Sequence, residues 1–326
     1  MDRFLLMTSF ARAVETGSFS AAARDLGIGQ PNISRYIASL EEHLGTRLLH
    51  RSTRKLVLTP EGERYYAEVK HILDAITEVE STARGEGKPS GLLRVACPTS
   101  LGRLHILPRV STLLSRYPEL ELDLQMSDRY VNLVDEGVDL AIRIGALRDS
   151  ALRARRIGTS VRMCVASVGY IERYGAPKHP DDLANHNCVV YTLLSGDGGW
   201  AFRGQNVAVN GRFRVNTPDG IVSAVLDGVG IGYAPLWLFE EPLRKGELKL
   251  LLTDFAAPPV PVSIVYATKR LLPQRASVFM DFIADELSSV PSLTEAGLAQ
   301  LISSMAQRQA YATATNRTSA TWTGLK

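Results

Sequence analysis

The chain has 326 residues, 45% hydrophobic and 22% charged, with 37 Lys and Arg against 34 Asp and Glu for a formal net charge of +3. At about 100 to 200 residues per domain this length predicts two or three globular units, and the composition excludes a disordered chain, a collagen-like repeat and a small disulfide scaffold. No apolar stretch approaches the roughly 18 to 20 residues of a membrane span, and the start MDRFLLMTSFARAVETG is too polar for a signal peptide, so the expectation is a soluble cytoplasmic protein with no membrane partner.

In chain order, Phe4, Leu5, Met7, Phe10, Ala11 and Val14 recur at three- and four-residue steps, a helical stripe that Gly17 ends. Ser18 or Ser20 then caps a short helix through Ala21, Ala22, Ala23 and Leu26, and Gly27 stops it. Gln30 and Pro31 open a third helix with Ile33, Ile37, Leu40 and Leu44 on its buried face, Pro being tolerated in the first turn. Two short helices around a glycine turn make a helix-turn-helix, although helices of this size also join in purely structural bundles. Charge placement favours the first reading. Between Glu42 and Glu61 there is no carboxylate, whereas Arg47, Arg51, Arg54 and Lys55 are cationic in a segment, LLHRSTRKLVLT, that reads as two short strands around a polar turn. Asn32, Ser34 and Arg35 gather beside the Ile33/Ile37 stripe, at the end where a recognition helix meets base edges and phosphates.

Thr59-Pro60-Glu61-Gly62 resembles a helix start, followed by a heptad seam of Tyr65, Val69, Ile72, Ile76 and Val79 that predicts pairing with the same helix of a second subunit. The polar, breaker-rich stretch from Arg84 to Gly91 reads as a linker. Beyond it, LLRVAC, LELDLQM and DLAIRIG alternate with helical material at 103 to 116 and at VNLVDEGV, the pattern of βαβ units. A second set follows: VRMCVAS, a helix at 168 to 174, NCVVYTLL, a hairpin-like NVAVNGRFRVNT, a helix at 218 to 227 and GIGYAP, before a last strand PVSIVYAT and a helix at 275 to 288. This predicts two α/β lobes with the chain crossing between them near 161 and 267. Ligands of open α/β sheets sit at strand carboxyl ends beside helix starts. That places Thr99 and Ser100 at the first lobe's helix start, Arg143 and Gly145 at the end of its third strand, and Tyr191 and Thr217 at corresponding ends in the second lobe, a set suited to a small carboxylate or phenolic acid.

The segment SFSAAARDLGIGQPNISRYIASLEEHLGTRLLHRSTRKLVLTPEGE resembles the DNA-binding head of LysR-type transcriptional regulators. LLRVACPTS, DEGVDLAIRIG and DGVGIGYAP continue the likeness in order and spacing over roughly residues 2 to 290. The resemblance implies a multi-domain α and α/β chain. Residues 1–59 would form a winged helix-turn-helix, 60–90 a dimerising linker helix and hinge, and 91–290 a periplasmic-binding-protein-like (type 2) effector domain. Within that domain lobe I would span 91–161 plus 268–290 and lobe II 162–267. It assigns DNA contact to Gln30, Pro31, Ser34 and Arg35 and to Arg51 and Arg54 of the wing. Asn32 departs from the small apolar residue usual in the family, and its amide suits adenine. The hydroxyl pair Thr99 and Ser100 matches the opening of the family's cleft. The implied partners are double-stranded operator DNA, a small-molecule effector, a second copy of the chain in a homodimer and commonly a homotetramer, and RNA polymerase. Residues 291–326 exceed the usual family length and read as a loosely attached or disordered extension, since the last fifteen residues are mostly Thr, Ala, Ser and Asn.

Catalysis finds little footing. The sequence lacks G-x-x-x-x-G-K-[ST], H-E-x-x-H and G-x-S-x-G, and Gly228, Gly230 and Gly232 do not give G-x-G-x-x-G. Cys97, Cys164 and Cys188 lie far apart without a C-x-x-C and the six histidines are scattered, so no metal site, cofactor or dithiol centre is expected. The alternative left open is a cytoplasmic small-molecule-binding protein or enzyme with a structural helical head.

Overall fold

A computed structural model describes residues 2–50, 56–83, 88–130, 132–133, 136–147, 152–193, 199–267 and 272–321. An N-terminal unit extends to Gly91 and a larger unit begins at Leu92. In the first, Asp2 accepts the Phe4 N–H to start helix α1 (Arg3–Thr16), which ends at Gly17 in the left-handed region. Ser18, rather than Ser20, caps α2 (Phe19–Asp25) by accepting the Ala21 N–H. The chain turns at Gly27, φ 65°, and α3 (Gln30–Leu44) follows with Pro31 in its first turn. Ile33, Ile37 and Leu40 are buried with Leu6, Phe10, Ala22 and Ala23, the two alanines being small enough for the helices to close on one another.

Of the two wing strands expected, the described residues carry one antiparallel bridge, Leu49 with Leu58, flanked by His50 N–H to Val57 O at 2.9 Å and Thr59 N–H to Leu48 O at 2.9 Å. Helix α4 (Pro60–Ala83) starts against the base of this wing. A Cβ on Gly62 would stand 2.0 Å from the Leu48 carbonyl oxygen, so only glycine fits there. The expected pairing seam is divided. Tyr65 packs on Phe10, ring centroids 5.7 Å apart, and Val69 is buried, so the first half of the stripe is covered by its own chain, while Ile72 is 47% exposed.

The larger unit runs β1 (Gly91–Cys97), α5 (Thr99–Leu101), a π turn (Gly102–Ile106), α6 (Leu107–Arg116), β2 (Leu120–Met126), β3 (Leu140–Ile144), β4 (Leu152–Ser160), β5 (Arg162–Ser167) and α7 (Val168–Tyr174). It continues through β6 (Val189–Tyr191), β7 (Gly199–Phe202), β8 (Gln205–Ala208), β9 (Phe213–Val215), α8 (Pro218–Leu226), β10 (Gly232–Pro235), α9 (Leu236–Lys245) and β11 (Leu248–Leu251). Strand β12 (Val260–Ala267), α10 (Gln274–Ser288) and α11 (Glu295–Thr321) complete it. One lobe holds a sheet of order β2-β1-β3-β12-β4, with β1 parallel to β3 and β12 antiparallel to both its neighbours. The other holds β10-β5-β11, all antiparallel, and the parallel pair β6-β9, joined through a Cys188–Ile231 bridge.

Four expectations need correction. Strand β12 lies in the first lobe's sheet, paired from Val262 with Ile144 to Val265 with Ala141, so the return crossing falls between β11 and β12 rather than near 267. NVAVNGRFRVNT is not a hairpin. The Asn210 carbonyl accepts the Cys188 N–H at 3.0 Å and Gly211 lies directly on Cys188, so the turn locks against β6; β8 pairs back with β7 and β9 runs beside β6. The described residues of VNLVDEGV form turns, with Leu133 and Val138 buried, instead of a helix. The tail is helical as α11 through Thr321, anchored by fully buried Leu293 and nearly buried Leu298 and by an Arg156–Glu295 ion pair to β4.

Candidate DNA-binding face and effector cleft

Helix α3 separates its two faces cleanly. Gln30, Pro31, Ser34 and Arg35 are exposed, and Asn32 is half-buried with its Oδ1 accepting from Arg35 Nη2 at 3.0 Å. The guanidinium also stands 5.7 Å from the Tyr36 ring centroid. The first turn of α3 thus presents hydrogen-bonding groups toward solvent, and the Asn32 oxygen must be released by Arg35 before that amide can bind a base bidentately. Arg51 and Arg54 lie outside the described residues. Of the cations counted in the basic stretch, Arg47 serves the fold: it pairs with Glu41 at 2.8 Å, and the same buried carboxylate accepts the Leu48 and Leu49 N–H groups.

In the larger unit, β1 leads into the helix start at Thr99 and Ser100, and β3, parallel to it, brings Arg143 and Gly145 to the same end of the sheet. Four groups at this end already have internal partners. The Thr99 N–H donates to Asp128 Oδ1 at 3.0 Å, and the buried Ser100 hydroxyl to Asp219 Oδ2 at 3.0 Å. Arg143 donates to the Tyr130 hydroxyl at 2.7 Å and lies 4.1 Å over its ring, and the Gly145 N–H donates to the Pro261 carbonyl. Asp219 comes from the first turn of α8 in the other lobe and also pairs with Arg103, so it ties the lobes together at that point. Thr217 caps α8 by accepting the Gly220 N–H, its expected local role.

Tyr191 ends β6 on the second lobe. Burial first, then the Asp128 charge, pushes its phenol up to about 12, with Arg162 pulling the other way, so it is a neutral donor at any physiological pH. Thr99, Ser100 and Tyr191 are therefore brought near one another with Asp128. Asp128, Asp219, Arg103 and Arg162 were missed from the sequence; only Asp219, third residue of a Thr-Pro-x helix start, carried a local signal.

Where the chain crosses between lobes, Trp237 Nε1 donates to Ser160 Oγ at 3.1 Å and His105 meets the Trp237 ring edge-on at 5.4 Å. Burial, then Arg109, lowers the His105 pKa to about 4, and its buried Nε2 has no hydrogen-bond partner among the described residues. All three cysteines are buried, and burial raises each thiol, Cys97 and Cys188 to about 12, which leaves them unreactive packing groups.

A helix-turn-helix head ahead of a two-lobed α/β body defines a DNA-binding regulator with a ligand domain. Residues 5–63 match the family model of the bacterial regulatory helix-turn-helix protein, lysR family, and residues 86–288 match that of the LysR substrate binding domain. The chain belongs to the LysR family of transcriptional regulators, DNA-binding proteins with an effector-binding domain. It is similar to the uncharacterized HTH-type transcriptional regulator YhjC of Escherichia coli (strain K12), 35% identical over 291 residues that cover 87% of this chain and 97% of the relative. The HTH-type transcriptional activator AaeR of the same strain is 33% identical over 299 residues, 90% of this chain and 96% of the relative. Among solved structures, CrgA, a LysR-type transcriptional regulator from Neisseria meningitidis, superposes with a TM-score of 0.58 at 32% identity, covering 87% of this chain and 99% of that one. Among the described residues no helix is long and apolar enough to cross a membrane.

Proposed function

We propose that the chain regulates transcription by placing the N-terminal end of α3 in the major groove of double-stranded operator DNA. Gln30, Pro31, Asn32, Ser34 and Arg35 meet base edges and phosphates there, and Arg51 and Arg54 grip the flanking backbone. The observation that carries this reading is the division of α3, which buries Ile33, Ile37 and Leu40 while Gln30, Pro31, Ser34 and Arg35 stay exposed. Two protomers pair through α4 from Ile72 onward, and dimers assemble into a homotetramer. The protein acts in the cytoplasm, with RNA polymerase as its partner at the promoter. A small carboxylate effector enters between the lobes, where Thr99, Ser100 and Tyr191 meet with Thr217 close by in sequence to Asp219, and Arg143 and Gly145 stand at the same sheet end. Its binding changes the lobe arrangement and hence the spacing of dimers on DNA.

A genomic footprint of the full-length protein supplies the operator. Replacing Arg35 with Ala then lowers operator affinity by about 1 to 3 kcal/mol, at one base position if it reads a base and uniformly if it holds phosphate. Undiminished binding to every duplex overturns the assignment.

A further inference from the structure

Beside Tyr191 lies an arginine at neither a strand's carboxyl end nor a helix start. Arg162 opens β5 immediately after the first crossing between lobes and pairs in register with Pro235, the last residue of β10. Strand β10 continues the direction of β6 through the parallel Cys188–Ile231 bridge, so Arg162 stands at the same end of the second lobe as Tyr191. It is half-buried and within electrostatic range of both the Tyr191 and Tyr233 phenols. Among the described residues no carboxylate lies within ion-pair distance of its guanidinium, and no side-chain hydrogen bond reaches it. The other arginines of the region differ: Arg103 is held by Asp219 and Arg143 by the Tyr130 hydroxyl. A half-buried arginine with no carboxylate at ion-pair distance among the described residues keeps its planar fork open to a carboxylate, which it matches with two parallel N–H···O bonds.

The facing wall has the opposite character. Asp128 occupies the Thr99 N–H and Asp219 the Ser100 hydroxyl, so an incoming anion meets two fixed carboxylates there instead of open donors. We propose that Arg162, with the Tyr191 hydroxyl beside it, is the anion anchor of the effector cleft. The ligand it selects is a small monocarboxylate whose anionic end lies on the second lobe and whose end toward Asp128 is neutral or hydrogen-bond donating. This rests on the cleft reading above and narrows it: the anchor sits across from Thr99 and Ser100, and a dianion is disfavoured.

The probes are isobutyrate, its neutral isostere isobutyramide and inorganic phosphate, applied to the full-length protein. Phenylglyoxal labelling with peptide mapping reads Arg162 directly and needs no variant. Isobutyrate is expected to slow labelling of Arg162 about fivefold or more and isobutyramide not at all. In parallel, tryptophan fluorescence follows isobutyrate binding, Trp200 being stacked on Tyr233 at 5.2 Å. Arg162→Gln should weaken that binding about tenfold or more, and Arg162→Lys, which keeps the charge without the fork, by less. Binding that survives Arg162→Gln but is lost in Ser100→Ala overturns the anchor and leaves the cleft reading standing. Binding that neither substitution changes, or no response up to about 100 mM, a concentration that still detects very weak association, overturns both. Stronger shielding by phosphate than by isobutyrate overturns the carboxylate class.

Discussion

The first turn of α3 and the wall formed by Thr99 and Ser100 are both polar surfaces beside a helix start, yet they are built in opposite ways. On α3, most of the hydrogen-bonding side chains point away from the core toward solvent, and the one internal bond, Arg35 to Asn32, is local to the helix. At the sheet end in the larger unit, three donors are taken by groups remote in the chain: the Thr99 N–H by Asp128, the Ser100 hydroxyl by Asp219 and the Gly145 N–H by Pro261. The contrast separates a polar helix face left open to solvent from a sheet end whose Thr99 N–H, Ser100 hydroxyl and Gly145 N–H are already satisfied within the fold.

That contrast is sharpened by perturbing each unit alone. The largest effect is expected in the body. Leu298 is 2% exposed, and Leu298→Ala should cost the larger unit about 2 to 5 kcal/mol in denaturant unfolding. A probe in the head, such as proteolysis near Arg35, should stay unchanged; equal loss in both units would show them to be one cooperative block. The next effect is one of pH. The His105 pKa lies at about 4 in the fold against about 6.5 unfolded, so the unfolded chain binds the extra proton first as pH falls. The stability that neutral His105 contributes is complete above pH ~6.5 and is lost as pH falls toward 4, by about 3 kcal/mol in all. A His105→Phe variant should flatten that slope in thermal melts, and an unchanged slope would show that other groups set it.

In the head, Glu41→Gln removes the anion that pairs with Arg47 and accepts two backbone N–H groups. It should cost about 1 to 3 kcal/mol and speed amide exchange at Leu48 and Leu49. The smallest effect belongs to the contact between lobes. The Arg103–Asp219 pair is 52% and 40% exposed at its side chains, so Asp219→Asn should change stability by under about 1 kcal/mol. A larger loss would make Asp219 a structural strut instead of a replaceable occupant of the cleft wall.

The three helices at the start of the head were legible because their information is local. Ser18, Gly27 and Pro31 each act within a turn of where they stand, and the Ile33/Ile37/Leu40 stripe fixes which side of α3 is left to solvent. The strand LAIRI was found because a strand in a parallel pairing reads as an apolar run, as β3 does beside β1. Strand β4 was missed because LRARRIGTS reads as polar: it is an edge strand whose arginines pair outward, with Asp281 and Glu295. On α4, periodicity shows that Tyr65 and Val69 face apolar neighbours but not that Phe10 of the same chain meets Tyr65.

The sequence by itself determined the order of the parts, the helix-turn-helix, the exposed residues of α3 and the family, because caps, breakers and apolar periodicity act over a few residues. Only the tertiary structure decided that β12 returns to the first lobe, that the Asn210-Gly211 turn locks onto Cys188, that α11 is anchored through Leu293 and Leu298, that Arg162 pairs in register with Pro235, and that Asp128 and Asp219 accept from Thr99 and Ser100. Each of these depends on pairings between segments tens to more than a hundred residues apart, and no local pattern of side chains encodes which distant group will satisfy a given N–H or charge.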